Sequence, residues 1–320
     1  MTKNPAMLTI SAAMLLLAGC GGGGSAPVVS TPPPAPPFPA KSSASYTATS
    51  GTIGYQGVVF NQFAGGSATI LPTQVQPANG ATTVAYDAST QTYTVASAAG
   101  TASFAPANQT PASDYSVQYK NGNDSLYLYG NAQAGVTASP PVALSYASFA
   151  VWTHVDPTSN LNQQTFYLIG QATPTTGMPV TGSASYNATL RAEVLQYTGS
   201  TLVATNTFGG SATLTANFAT GAIATTLTPD PTSLGGNVTL QPNYTGTGTI
   251  SGSGFSGTLS GPGGNVATSG AFSGGFFGPT ASEAGFTFQI ANHIIDPGAG
   301  ASVPAFLNEV VVGVAVGAKK

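Results

Sequence analysis

The chain has 320 residues and a formal net charge of −3, and only 5% of it is Asp, Glu, Lys or Arg, against about 25% in an ordinary soluble domain. Six basic residues set against nine acidic ones exclude a nucleic-acid partner, because neutralising phosphates requires clustered Lys and Arg. Aromatic residues make up 9% of the chain, which sets it apart from disordered low-complexity sequence, since large rings need a core to bury them.

Lys3 and an apolar stretch from Met7 to Ala18, broken only by Thr9 and Ser11, give the charged and hydrophobic regions of an export signal. The stretch is too short to span a bilayer. It ends in Leu17-Ala18-Gly19-Cys20, and Cys20 is the only cysteine. These four residues resemble the lipobox of bacterial lipoprotein precursors. The resemblance implies cleavage before Cys20, acylation of Cys20, and a membrane held as partner through acyl chains at ~0.8 kcal/mol per buried CH2. Gly21 stands where an inner-membrane retention signal would place Asp, which points to the outer membrane. Gly21 to Ser25 is glycine-rich and Ala26 to Pro39 carries seven prolines. At ~3.1 Å per residue for a polyproline segment, this gives a semi-rigid stalk of roughly 40 to 60 Å.

From Ser42 onward, short strands joined by turns are expected. Tyr86 and Tyr93 flank Asp87-Ala88-Ser89-Thr90 as a hairpin. Tyr115, Val117 and Tyr119 alternate before Asn121-Gly122, and Leu126 and Leu128 after it; Asn and Gly tolerate the positive φ of a tight turn. Leu144 to Thr153 and Gln164 to Gln171 are further strand candidates. After Met178-Pro179 the alternation is cleaner. Ala212, Leu214, Ala216 and Phe218 share a face, Gly221 turns the chain, and Ile223, Thr225 and Leu227 run back. Phe272, Gly274 and Phe276 follow, then Phe286, Phe288 and Ile290, then Val310, Val312, Val314 and Val316. Each predicts a half-buried strand with its large residues on one side. Successive hairpins with a strongly apolar last strand predict closure into a small barrel, which removes exposed edges. The fold class expected is all-β, in two units that divide near Thr173 to Thr181.

Gly274 to Phe286 reads Gly-Gly-Phe-Phe-Gly-Pro-Thr-Ala-Ser-Glu-Ala-Gly-Phe. It resembles the signature near the end of the β-barrel domain of transferrin-binding protein B and its relatives, which include factor H binding protein. Phe276, Phe277, Gly278, Pro279, Ala281, Glu283 and Gly285 fit that signature, while Phe286 replaces its second Gly. Residues 178–186 and 210–218 also agree with the family, and 86–95 and 146–152 resemble the region that accompanies its single-lobe members. The resemblance implies an N-terminal β-rich handle domain (42–177) followed by a C-terminal eight-stranded antiparallel β-barrel (178–320), behind a signal peptide (1–19) and a lipidated linker (20–41). It further implies a non-enzymatic surface lipoprotein of the outer membrane that binds an unknown protein or small-molecule ligand, an iron or haem source among the candidates. A structural envelope lipoprotein is the alternative. From the residues alone, Phe276 and Phe277 are expected on opposite faces, Gly278-Pro279 ends a strand, and Glu283 accepts backbone N–H groups in the turn that follows.

Candidate chemistry is sparse. His154 and His293 each have an Asp nearby, Asp156 and Asp296, but both Asp residues precede Pro and read as turn initiators; no Gly-x-Ser-x-Gly elbow occurs. Gly252-Ser253-Gly254-Phe255-Ser256-Gly257 matches a dinucleotide fingerprint in letters but lacks the helix the pyrophosphate needs. No zinc or calcium motif is present, and no catalytic residue, metal or cofactor is expected. Asp87, Asp114, Asp124, Asp230 and Glu309 read as solvated turn or strand-end carboxylates. Tyr115, Tyr119, Tyr127, Tyr129 and Trp152 read as packing residues first and as a recognition surface second.

Overall fold

The computed structural model describes residues 44–57, 68–69, 82–97, 100–111, 116–129, 142–158, 161–198, 201–233, 243–263, 266–295 and 306–320. The signal segment, Cys20 and the stalk lie outside the described residues, as do Asp114, Tyr115 and Asp296. Among the described residues, every element is a strand or a short 3-10 turn.

The first ten strands are β1 (Ala44–Gly57), β2 (Ala68–Thr69), β3 (Thr82–Asp87), β4 (Thr92–Ser97), β5 (Gly100–Phe104), β6 (Gln109–Thr110), β7 (Ser116–Asn121), β8 (Asp124–Tyr129), β9 (Ala147–Asp156) and β10 (Leu161–Gly170). We call this part the handle. Strand β1 is shared between two directions of pairing: Ala44 to Ala48 pair with β3, and Thr49 to Gln56 pair with β10. From β3 the sheet runs to β4 and β5, and from β10 to β9, β8, β7 and β6. Strands β5 and β7 approach where Asn121 Nδ2 donates to the Ser103 carbonyl at 2.9 Å.

Both expected handle hairpins are present. The Asp87 carboxylate accepts the Ser89 N–H at 2.9 Å and its hydroxyl at 2.7 Å, which folds the chain back from Tyr86 to Tyr93. In the second hairpin Asn121 pairs with Asp124, so the two-residue loop is Gly122-Asn123, with Gly122 at φ +59. Alternation sorts the side chains in the usual period of two. Val84, Tyr93, Val95, Phe104, Val117, Leu126, Trp152 and Tyr167 fill the handle interior. The opposite faces of β9 and β10, with Phe149, Val151, Phe166 and Leu168, turn towards the barrel.

The barrel is β11 (Ser183–Thr198), β12 (Thr201–Asn217), β13 (Ala222–Pro229), β14 (Tyr244–Ser251), β15 (Gly254–Ser260), β16 (Val266–Phe277), β17 (Glu283–Ile295) and β18 (Phe306–Lys319). Each strand pairs antiparallel with the next, and β18 returns to β11 from Tyr186↔Lys319 to Tyr197↔Asn308. Eight strands leave an interior that side chains can fill. Here a chain of rings fills it: Phe255 lies 5.1 Å from Phe276 and 6.2 Å from Phe272, and Phe286 lies 5.6 Å from Phe272 and 6.3 Å from Phe288.

One expected face differs. Val310, Val312, Val314 and Val316 point out of the barrel into the joint with the handle, while Val311 and Ala315 enter the lumen. Strand β18 is therefore buried on both sides and is not half-buried, because the handle covers its outer face. Handle and barrel form one compact unit, stitched further by β2, which pairs with both β1 and β12.

Candidate functional site

The signature segment forms the joint between handle and barrel. Phe276 enters the lumen and Phe277 packs among the joint residues, on opposite faces as the alternation requires. Gly278 turns the chain at φ +82, and a Cβ there would meet the Tyr146 ring at 2.7 Å, so both backbone and space demand glycine. On either side of this turn the handle's exit strand is pinned: Thr173 N–H donates to the Phe276 carbonyl and Gly278 N–H to the Gln171 carbonyl, both at 2.9 Å. Ala281 sits fully buried at φ +55, in the left-handed region that costs a non-glycine residue ~1–2 kcal/mol. Its carbonyl accepts the Tyr186 hydroxyl at 2.7 Å, and burial pushes that phenol up to about 12. Phe286, where the signature has glycine, is an ordinary strand residue whose ring lies in the barrel core, so the turn needs no glycine there. Gly285 pairs with Gly275 within the same hairpin.

Glu283 takes its backbone donors from the handle and not from its own turn. Oε1 accepts the Ser145 N–H at 2.5 Å, and Oε2 accepts those of Tyr146 at 2.9 Å and Ala147 at 2.7 Å. The expectation of backbone partners holds, but the partners lie more than 130 residues upstream. Sequence proximity favoured the local turn, and only the docking of the handle brings residues 145–147 over β17. Burial pushes the Glu283 carboxyl above its usual range, and the three N–H groups pull the other way.

Two more carboxylates are buried. Glu193, on the outer face of β11, accepts the hydroxyls of Thr205 and of Thr207 (2.6 Å) and the amide of Gln164 from the handle at 3.2 Å. Glu309, on the lumen side of β18, has no exposure, which corrects its reading as a solvated carboxylate. Its Oε1 accepts Asn292 Nδ2 at 2.7 Å and the Tyr244 hydroxyl at 3.3 Å, and its Oε2 accepts Gln196 Nε2 at 2.9 Å. Neither carboxylate has a cation in ion-pair contact among the described residues, and burial raises both above their ordinary values. A pattern reading places Glu309 correctly in alternation but cannot tell that β17, β14 and β11 converge amide and hydroxyl groups on it. The signal that was available is rarity: Arg191 and Glu193 are the only Asp, Glu, Lys or Arg residues on strands β11 to β16.

His154 finds a partner other than the Asp beside it in sequence. His154 Nδ1 lies 2.8 Å from Asp124 Oδ1, which also accepts Trp152 Nε1 at 2.8 Å. Asp156 instead accepts the Thr158 N–H at 2.9 Å in its turn. His293 Nδ1 lies 2.7 Å from Asn308 Oδ1. Tyr119, Tyr129 and Trp152 are buried in packing roles, and Tyr127 is half-buried at the joint. The segment with the dinucleotide spacing is the β14–β15 hairpin, with Gly252 at φ +60 in its turn. Shallow concavities lie on the outer faces of the barrel. One, of about 600 Å³, runs over β15 to β17 past Ser256, Thr258, Ser273 and Gln289.

These features define an all-β scaffold in which a filled barrel is locked to a handle through the turn at Gly278 and the buried Glu283 carboxylate. Residues 178–320 match the family described as the C-lobe and N-lobe β-barrels of transferrin-binding protein B. Among solved structures, the chain is similar to the transferrin-binding protein B Trp-176-Ala mutant from Haemophilus parasuis Hp5 (14% identity, TM-score 0.36, 87% of this chain and 76% of that one). It is also similar to HpuA from Kingella denitrificans, solved in complex with human haemoglobin (17%, TM-score 0.39, 87% of each chain). A third is the isotype 1 transferrin-binding protein B from serogroup B Neisseria meningitidis (14%, TM-score 0.38, 79% and 56%). No curated protein matches the chain.

Proposed function

We propose that this chain is a non-enzymatic lipoprotein of the outer membrane, anchored through Cys20 and displayed at the cell surface, where handle and barrel together present a binding surface for a protein or small-molecule ligand. The observation that carries the reading is a barrel of the transferrin-binding protein B family at 178–320 placed behind a lipobox cysteine and a Gly/Pro stalk. In this reading residues 1–19 are removed, 20–41 anchor and space, 42–177 form the handle, and 178–320 the barrel. The signature residues Phe276 to Gly285 hold handle and barrel in one fixed arrangement. A protein that carries iron or haem is the ligand class to try first, because the related HpuA was solved with human haemoglobin and other relatives are named for transferrin. The absence of Asp, Glu, Lys and Arg from strands β12 to β16 argues against capture driven by electrostatic steering.

The test is capture by the detergent-solubilised full chain immobilised on beads, offered haemoglobin, transferrin and haem–albumin. Saturable retention of one of them, lost when the joint is disrupted at Glu283, supports the reading. Retention of none of these, nor of any component of host or environmental fluids, overturns it in favour of a structural envelope lipoprotein.

A further inference from the structure

Arg191 is the only arginine in the chain. It stands on the outer face of β11 directly opposite Gly209 of β12, and its guanidinium carbon lies 4.1 Å from the centre of the Tyr127 ring of the handle. Stacking covers the flat face of the guanidinium but offers no acceptor in its plane, where all five N–H donors point. Among the described residues no carboxylate lies within ion-pair distance of Arg191, and its buried Nε has no hydrogen-bond partner. Glu193, the nearest acid along the strand, is occupied by Thr205, Thr207 and Gln164.

Arg191 lines a concavity of about 800 Å³, within the range of small-ligand sites. Gly209 also lines it. A Cβ at Gly209 would meet nothing closer than the Leu190 carbonyl at 3.8 Å, and Gly209 is not in the left-handed region. Neither packing nor backbone therefore demands glycine; its effect is to leave room beside the guanidinium. The wall is the turn that follows β13. Asp230 N–H donates to the Gly209 carbonyl at 3.0 Å, and Gly209 N–H donates to Ser233 Oγ at 3.1 Å. The exposed Asp230 carboxylate is held by the Thr232 N–H and hydroxyl at 2.9 and 2.7 Å. One fixed cation and one fixed anion thus line the same hollow without contacting each other.

We propose that this hollow is a binding site for a carboxylate, taken by the Arg191 guanidinium through paired N–H···O bonds. A single guanidinium matches one carboxylate in charge and in fork geometry. A phosphate dianion would leave uncompensated negative charge beside Asp230, which instead favours an amino or hydroxyl group at the far end of the ligand. The site goes beyond the surface-capture reading and does not depend on it: failure to retain any host protein leaves the hollow and its chemistry in place.

The sole arginine gives a clean probe. The full chain in detergent micelles, labelled with 15N only in arginine, has a single Nε–Hε resonance. Titration with butyrate is expected to shift that resonance saturably, and titration with the isosteric neutral butyramide is expected to leave it in place. A tripeptide with a free C-terminus, set against its C-terminal amide, distinguishes a chain terminus from a small acid as the source of the carboxylate. Tighter binding of either acid than of its amide supports the site. Gly209→Leu, which fills the space beside Arg191, is expected to weaken butyrate at least tenfold while the thermal melt followed by the single Trp152 stays in place. The absence of a saturable shift with both acids, an equal shift with butyramide, or undiminished binding in a folded Gly209→Leu protein would each overturn the proposal.

Discussion

Replacing Glu283 by Gln tests whether a single carboxylate locks handle to barrel. The glutamate is 5% exposed and meets three backbone N–H groups, one on Oε1 and two on Oε2. Glutamine keeps the shape and one carbonyl oxygen, which can still serve Tyr146 and Ala147, but it turns an NH2 donor towards the Ser145 N–H. One charge-assisted bond is lost and two donors face each other, a cost of about 2–3 kcal/mol. Alanine orphans all three N–H groups, for about 3–5 kcal/mol. The lower end is favoured because Ser145 is exposed, so water can reach it, and because no buried carboxylate then has to be maintained. Urea denaturation measures the total, and amide hydrogen exchange localises it: protection at Ser145, Tyr146 and Ala147 should fall in Glu283→Gln while the lumen strands keep theirs. A loss below about 0.5 kcal/mol, or unchanged exchange at 145–147, would refute the lock.

Three further outcomes follow from the same geometry. Burial raises the carboxyls of Glu193 and Glu309 above the ordinary 4.5, so the folded state holds protons the unfolded chain has released, and stability is lost as pH rises through those raised values. The thermal midpoint should be higher at pH 5 than at pH 8, with Glu309→Gln flattening the slope; a midpoint that rises with pH would contradict this. Ala281→Gly should change stability by less than about 0.5 kcal/mol, since relief of the φ +55 strain offsets the added chain entropy, whereas Ala281→Val should cost above about 2 kcal/mol because a β-branched residue tolerates that backbone poorly. Gly274→Ala would place a Cβ 2.0 Å from the Gly285 carbonyl and should cost about 2 kcal/mol or more by parting β16 from β17; an unperturbed melt would refute the close approach.

The barrel was legible because its strands obey one rule over long stretches. Leu214 and Ala216, Ile223 and Leu227, Phe272 and Phe276, and Phe286 and Ile290 all enter the lumen as alternation required. Alternation fails as a guide where a second layer covers the sheet. The odd and even residues of β18 are both apolar and both buried, and nothing local says which set faces the lumen. The joint was partly legible. The order Phe276, Phe277, Gly278 fixes opposite faces and a turn, but Glu283 could be assigned a role and not a partner, since its donors arrive from 145–147. Hydrogen bonds at such separations depend on how two sheets dock. His154 makes the same point at shorter range: the strand period sets it beside Asp124 across the β8–β9 pair, while sequence proximity suggested Asp156. Arg191 was the missed signal, a lone arginine in a chain almost without charge.

Display of the folded part at the cell surface is tested most directly by its access to protease. Intact cells that express the full chain should lose it to added protease, and the Cys20→Ala protein should leave the membrane fraction. A chain protected until the outer membrane is permeabilised would place it on the periplasmic side and contradict capture at the cell surface.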